Sequence, residues 1–253
     1  MEKPLATRSA EFGGQQLVFD YYHIPLRIEH ENLLVSLERE GKSLLYSREC
    51  AGETLEKTIL TGDGKILFNP VEPVNKPKEI TPFFLVELER NLMIKPKETS
   101  EVMITFPVEI AVIYMPDDQV FTVLDIFSLV NPKYTLYGTP KTGLICRHWK
   151  SRIYSAVPAP NTLLEGVMRI SIRNSTPKWI EITRIVFSAH DMKIFYNHNM
   201  AFAEAYMKIL SETTAETGFG HSPPQNNLEK SIEMFPSKKI TVTGSRLIME
   251  DGL

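Results

Sequence analysis

Between residues 81 and 115 the chain reads TPFFLVELERNLMIKPKETSEVMITFPVEIAVIYM, three apolar runs of β type separated by Lys95-Pro96-Lys97 and by Pro107. Phe84, Val86 and Leu88 alternate against Leu85, Glu87 and Glu89. Val102, Ile104 and Phe106 repeat this period of two, which marks a strand with one face in a core. Residues 108–115 are almost continuously apolar. That is the signature of a central strand covered on both faces, with a short buried helix as the other reading periodicity allows.

The same punctuation runs through the rest of the chain. The first 70 residues read as a meander, starting from a β-branched and aromatic stretch between Gln16 and His23. Residues 33–37 and 44–46 flank Glu40-Gly41-Lys42, and residues 59–60 and 66–68 flank Gly62-Asp63-Gly64. Each pair predicts a hairpin, because glycine supplies the positive φ of tight β-turns. Pro70, Pro73 and Pro77 predict a stiff linker or an edge strand, since proline cannot donate to a ladder. Further β runs occupy residues 120–129, 144–154, 167–173, 179–187 and 192–196, with a loop expected at 131–142 and a break at Pro158 and Pro160. In AFAEAYMKIL (201–210), Phe202, Tyr206 and Ile209 would share a helical face, whereas Phe202, Tyr206 and Leu210 fit a strand. A turn at Asn197 to Asn199 favours the strand. A loop at 216–227 and a last strand at 239–243 complete the pattern. The predicted architecture is mainly β with little helix: antiparallel β-sandwiches, as two Ig-like or jelly-roll-like units over 1–155 and 156–253, or as one continuous β domain.

The 253 residues, 43% of them hydrophobic, suffice for such a core. With 28 basic against 31 acidic residues and a net charge of -3, no field of either sign is available to hold nucleic acid. No stretch approaches the ~20 apolar residues of a membrane span. The opening MEKPLATRSAEFGG lacks the apolar centre of a secretory signal, so a soluble cytoplasmic protein is expected. Cys50 and Cys146 read as free thiols of a reducing compartment, or else as a long-range bridge. Asn174-Ser175-Thr176 is a glycosylation sequon that such a compartment leaves idle.

Phosphate loops of the GxxxxGK[ST] and GxGxxG types are absent from the sequence, as are HExxH and GxSxG. The densest chemistry lies in NPKYTLYG and CRHWK, where Lys133, Tyr134, Tyr137, Arg147, His148 and Trp149 offer the cations, hydroxyls and aromatic faces of a ligand or partner surface. The alternative is a loop whose tyrosines cover the end of a sheet. Glu109 and Asp125 sit inside apolar strands, and a buried carboxylate needs a cation, a donor or water. They are candidates for paired acid and base work, as in glycoside hydrolysis, or for a structural role such as an ion pair with Lys133 or Arg147. Cys146 and His148 share a strand face, and His190, Asp191 or His198 could add ligands. A zinc centre needs three or four convergent groups, so neither a metal nor another cofactor is expected.

The phrases ITPFFLVELE, IKPKETSEVMITFPVEIAVIY and NPKYTLYG followed by GLICRHW resemble the archaeal family known as domain of unknown function 432, over roughly the middle and C-terminal two thirds of the chain. The resemblance implies a prokaryotic, archaeal, soluble protein of β character. It carries over no catalytic residue and suggests a channel-associated accessory role. The leading functional expectation is a non-enzymatic binding or assembly module that meets a protein partner, or itself, through sheet edges and loop aromatics. The alternatives are a small-molecule or carbohydrate-active enzyme using Glu109 and Asp125, and metal binding through Cys146 and His148.

Overall fold

The computed structural model describes residues 17–60, 63–76, 80–117, 120–223, 227–234 and 246–253. Gln16, Gly62, Pro77, Pro224 and the strand expected at 239–243 lie outside these residues. The chain divides into two compact units. One holds Tyr22–Ile66 and Met115–Phe121; the other holds Val18–Tyr21, Leu67–Tyr114 and Thr122–Leu253. Among the described residues the only helical element is a single 3-10 turn at Ala189–Asp191.

Strand β1 (Tyr21–His23) straddles the boundary between the units. In the first unit, β2 (Leu26–His30), β3 (Leu33–Glu40), β4 (Ser43–Cys50) and β5 (Glu53–Leu60) form an antiparallel meander in chain order. Two-residue turns join them, with His30 opposite Leu33, Glu40 opposite Ser43 and Cys50 opposite Glu53. The last turn holds Ala51 and Gly52 at φ +50° and +83°, the paired left-handed conformation whose twist matches that of the flanking strands. Leu26, Ile28, Leu33, Val35, Leu37, Leu44, Tyr46 and Cys50 are buried by alternation. β5 is almost wholly exposed and carries Glu53, Glu56 and Lys57, charges that discourage a further strand from adding to this edge. The hairpin expected across Gly62-Asp63-Gly64 does not form: among the described residues β5 ends the meander, and the next strand joins a different sheet.

Most of β6 (Lys65–Val71) belongs to the second unit, followed by β7 (Phe83–Ile94), β8 (Thr99–Pro107), β9 (Glu109–Met115), β10 (Thr122–Phe127), β11 (Lys133–Tyr137) and β12 (Leu144–Ser151). Then come β13 (Glu165–Asn174), β14 (Ile180–Ser188), β15 (Ile194–Asn197), β16 (Met200–Ile209), β17 (Ala215–Phe219), β18 (Glu229–Lys230) and β19 (Leu247–Met249). The three runs of residues 81–115 are three strands, each in a different sheet. β7 lies in the order β11-β12-β7-β14, β8 ends the order β18-β15-β16-β13-β8, and β9 stands between β6 and β10. The turn after β7, with Lys97 at φ +59°, therefore carries the chain from sheet to sheet rather than closing a hairpin. β9 is buried at every position, as its unbroken apolar sequence requires.

The ladders of β7 with β12 and of β13 with β16 depart from the antiparallel expectation and are parallel. A tight turn cannot join parallel neighbours, and in each case other strands fill the connection. β7 and β8 also pair with β14 and β13, so ladders cross the expected break at 156–161. The core between sheets is marked by Phe84 and Phe187, stacked with centroids 5.2 Å apart, and by Phe219 of β17 at 5.3 Å from Phe187. Of residues 201–210, all but Leu210 lie in strand β16, entered through the turn where Asn197 opposes Met200. The loops expected at 131–142 and 216–227 contain β11 and most of β17. Residues 70–75, expected as linker or edge, are buried.

Candidate functional site

NPKYTLYG and CRHWK come together as an antiparallel ladder, Lys133 opposite His148 and Tyr134 opposite Arg147. Pairing divides the six candidates between two faces, because alternate residues of a strand point opposite ways. Tyr134, Arg147 and Trp149 share one face; Lys133, Tyr137 and His148 share the other. On the second face the His148 imidazole contacts Glu87 at 3.0 Å, and this hydrogen bond holds the Glu87 carboxyl below the usual carboxylate range. Tyr137 is buried; its hydroxyl donates to the Gly252 carbonyl at 2.9 Å and accepts from the Asp251 N–H at 3.0 Å. The Arg184 guanidinium lies 5.6 Å from the centre of its ring.

On the first face the Trp149 indole donates to the Thr105 hydroxyl at 3.1 Å. Arg147 is 2% exposed. It forms an ion pair with Glu109, donates to the Pro73 carbonyl at 2.8 Å and reaches the Ser128 hydroxyl at 3.4 Å. Glu109 is fully buried and also accepts from the Asn75 N–H at 2.9 Å. Burial pushes its carboxyl up to about 7, against the opposing pull of the Arg147 guanidinium and of the Asn75 and Lys76 N–H groups. Asn75 spends its amide on the Glu72 carbonyl at 2.7 Å, while its Oδ1 has no hydrogen-bond partner. Sequence reasoning named Arg147 among the cations for Glu109. It missed Asn75 and Pro73, which lie in a proline-rich segment read as linker and carry no motif.

Glu109 and Asp125 do not converge. In the β9–β10 ladder Val112 opposes Asp125 and Ala111 opposes Ile126. Glu109 has the parity of Ala111, so the two carboxylates point to opposite faces. Each is buried. Cys146 is fully buried, which pushes its thiol up to about 12, far from a thiolate at neutral pH. Its Sγ contacts the Leu144 carbonyl at 3.5 Å. Among the described residues no group of three or more His, Cys, Asp and Glu is arranged to hold a metal ion. Asn174 of the sequon is buried, its amide bonded to the carbonyls of Ile94, Lys95 and Lys178.

What remains accessible is the outer margin of the ladder. Among the described residues β11 has a strand neighbour on one side only. Tyr134, Leu136 and Ile145 are 36%, 40% and 52% exposed, with Leu136 directly opposite Ile145. Residues 18–250 match a family model described as protein of unknown function (DUF432). The chain belongs to this family. The match extends beyond the phrases that first suggested it and reaches into both units of the DUF432 fold. Neither the curated proteins nor the solved structures contain a match to this DUF432 chain. Among its described residues no helix is long and apolar enough to cross a membrane.

Proposed function

We propose that this DUF432 protein is a non-enzymatic binding and assembly module, and that the partner on its β11 edge is a second copy of the same chain. The observation that carries this reading is the open edge with its apolar strip of Tyr134, Leu136 and Ile145. An exposed strand edge is a template for another strand, and proteins that do not use one usually charge it, as β5 is charged. β11 carries a single charge, Lys133. A two-fold antiparallel pairing centred on Thr135 would set Tyr134 against Leu136 and Lys133 against Tyr137. No like charges then oppose each other, and the contact is self-complementary as two-fold interfaces must be. The reading also has the protein act in the cytoplasm, in keeping with the burial of both cysteines, Cys50 and Cys146.

Sedimentation equilibrium of the purified chain tests the idea up to about 1 mM, where an association of about 4 kcal/mol is still visible. A dimer is expected for the natural sequence. Leu136→Lys and Ile145→Lys should each shift it to monomer with little change in thermal midpoint, since both side chains are substantially exposed. A monomer at every concentration, or a dimer indifferent to both substitutions, refutes the assignment.

A further inference from the structure

Where β7 passes residues 89–91 it leaves both of its neighbours. The ladder with β12 ends at Ser151 opposite Leu88. The ladder with β14 breaks after Arg184 opposite Glu87 and resumes only at Ile182 opposite Leu92, so Thr183 alone spans four residues of β7. Glu89, Arg90 and Asn91 thus stand outside both ladders. Such excursions cost ladder hydrogen bonds and re-aim side chains, and they recur beside binding sites. The gap is a cleft of about 680 Å³ lined by Glu89, Arg90, Asn91, Arg152, Ile153 and Tyr154. Its size falls within the range of small-molecule sites.

Both walls are fixed. Tyr154 is held by reciprocal backbone hydrogen bonds with Met103, at 3.0 and 2.8 Å. Opposite, the Asn91 amide is held by the Glu181 carboxylate at 2.6 Å. The Arg152 Nε donates to Glu89 at 2.9 Å, which occupies one of the five N–H donors of that guanidinium. Arg90 lines the cleft as well, so two arginines and one carboxylate belong to its lining.

We propose that this cleft binds a small organic phosphate, with Arg90 and Arg152 on the phosphoryl oxygens and Ile153 and Tyr154 against the organic part. Arginines borne by separate segments can reach one anion from different directions. That suits a tetrahedral oxyanion with acceptors all round, whereas a planar carboxylate is satisfied by a single bidentate fork. The net charge of -3 provides no wider basic field, which favours an isolated phosphate group over a nucleic-acid backbone. This inference is independent of the β11 edge.

Isothermal titration at low ionic strength, where screening is weak, tests it with inorganic phosphate, phenyl phosphate and acetate. Phenyl phosphate should bind more tightly than inorganic phosphate, and acetate should bind least. Arg90→Gln should weaken phenyl phosphate by about tenfold or more, the scale of a lost charge-assisted contact. Glu89→Gln frees Arg152 and should tighten binding several-fold, a gain that damage to the fold cannot imitate. Circular dichroism and the thermal midpoint of both variants check that they remain folded. No heat from either phosphate at about 10 mM, equal affinity in Arg90→Gln and the natural sequence, weaker binding in a folded Glu89→Gln, or acetate binding as well as phosphate overturns the proposal.

Discussion

Replacing Glu109 by Gln should make stability less sensitive to pH and, above neutrality, should stabilise the protein. Glu109 titrates at about 7 in the fold against an ordinary value of 4.5, chiefly because burial disfavours its charged form. Between these values the folded state binds more protons than the unfolded chain. Stability contributed by the group is therefore fully present below about 4.5 and falls as pH rises towards 7. At about 1.4 kcal/mol per pH unit, the interval corresponds to about 3 kcal/mol. Gln keeps the shape of the protonated acid and stays neutral, while Arg147 keeps its contacts with Pro73 and Ser128. On this linkage the variant should match the natural sequence near pH 4.5 and exceed it by up to about 3 kcal/mol at pH 8. Urea titrations at a series of pH values, followed by the fluorescence of half-buried Trp149 two residues from Arg147, measure the difference. Other carboxylates, such as Glu87, change both proteins alike and cancel. A stability difference that stays constant from pH 4.5 to 8, or that grows in favour of Glu109, refutes the reasoning.

Two further outcomes follow from burial. Cys146, with its thiol up to about 12, should resist an aromatic disulfide reagent at pH 8 in the folded protein and react at once in denaturant; rapid labelling of Cys146 in a Cys50→Ser background would contradict its packing. Tyr137→Phe removes the hydroxyl that Gly252 and Asp251 share, so it should cost about 1 to 3 kcal/mol and speed amide exchange at 251–252 first; unchanged exchange there would show that the hydroxyl does not hold this segment.

Sheet architecture was legible because it is written in local pattern: the runs read at 84–88, 102–106 and 108–115 fall in β7, β8 and, from Glu109, β9. Partner choice was not, since hydrophobic period says which face is buried and nothing about which strand lies alongside. The Gly62-Asp63-Gly64 turn reads like the one at Gly41, yet β5 and β6 lie in different sheets and β3 and β4 pair. The candidate site was legible as a concentration of residue types, and its two halves do meet. Its division into opposite faces depends on strand parity across β11 and β12, and parity could be applied only once register was known. Arg147 was within reach as a partner for Glu109 because burial of a carboxylate demands a cation. The cleft beside Arg90 was out of reach, for it arises where two ladders skip the same residues and leaves no motif in the sequence.

The position of β7 governs the order in which the second unit can be built during synthesis. It ends at Ile94, whereas its neighbours begin at Leu144 and Ile180. β8 likewise ends at Pro107 and waits for β13, which begins at Glu165. A nascent chain therefore carries Phe84, Val86 and Leu88 without either sheet neighbour until Ser151 has left the ribosome, and without the second until Ser188 has, while the meander from Leu26 to Leu60 can close turn by turn. Non-local pairing of this kind delays closure and lengthens the exposure of apolar strands. The interval between Phe83 and Ser188 is where this chain has most need of a holding chaperone.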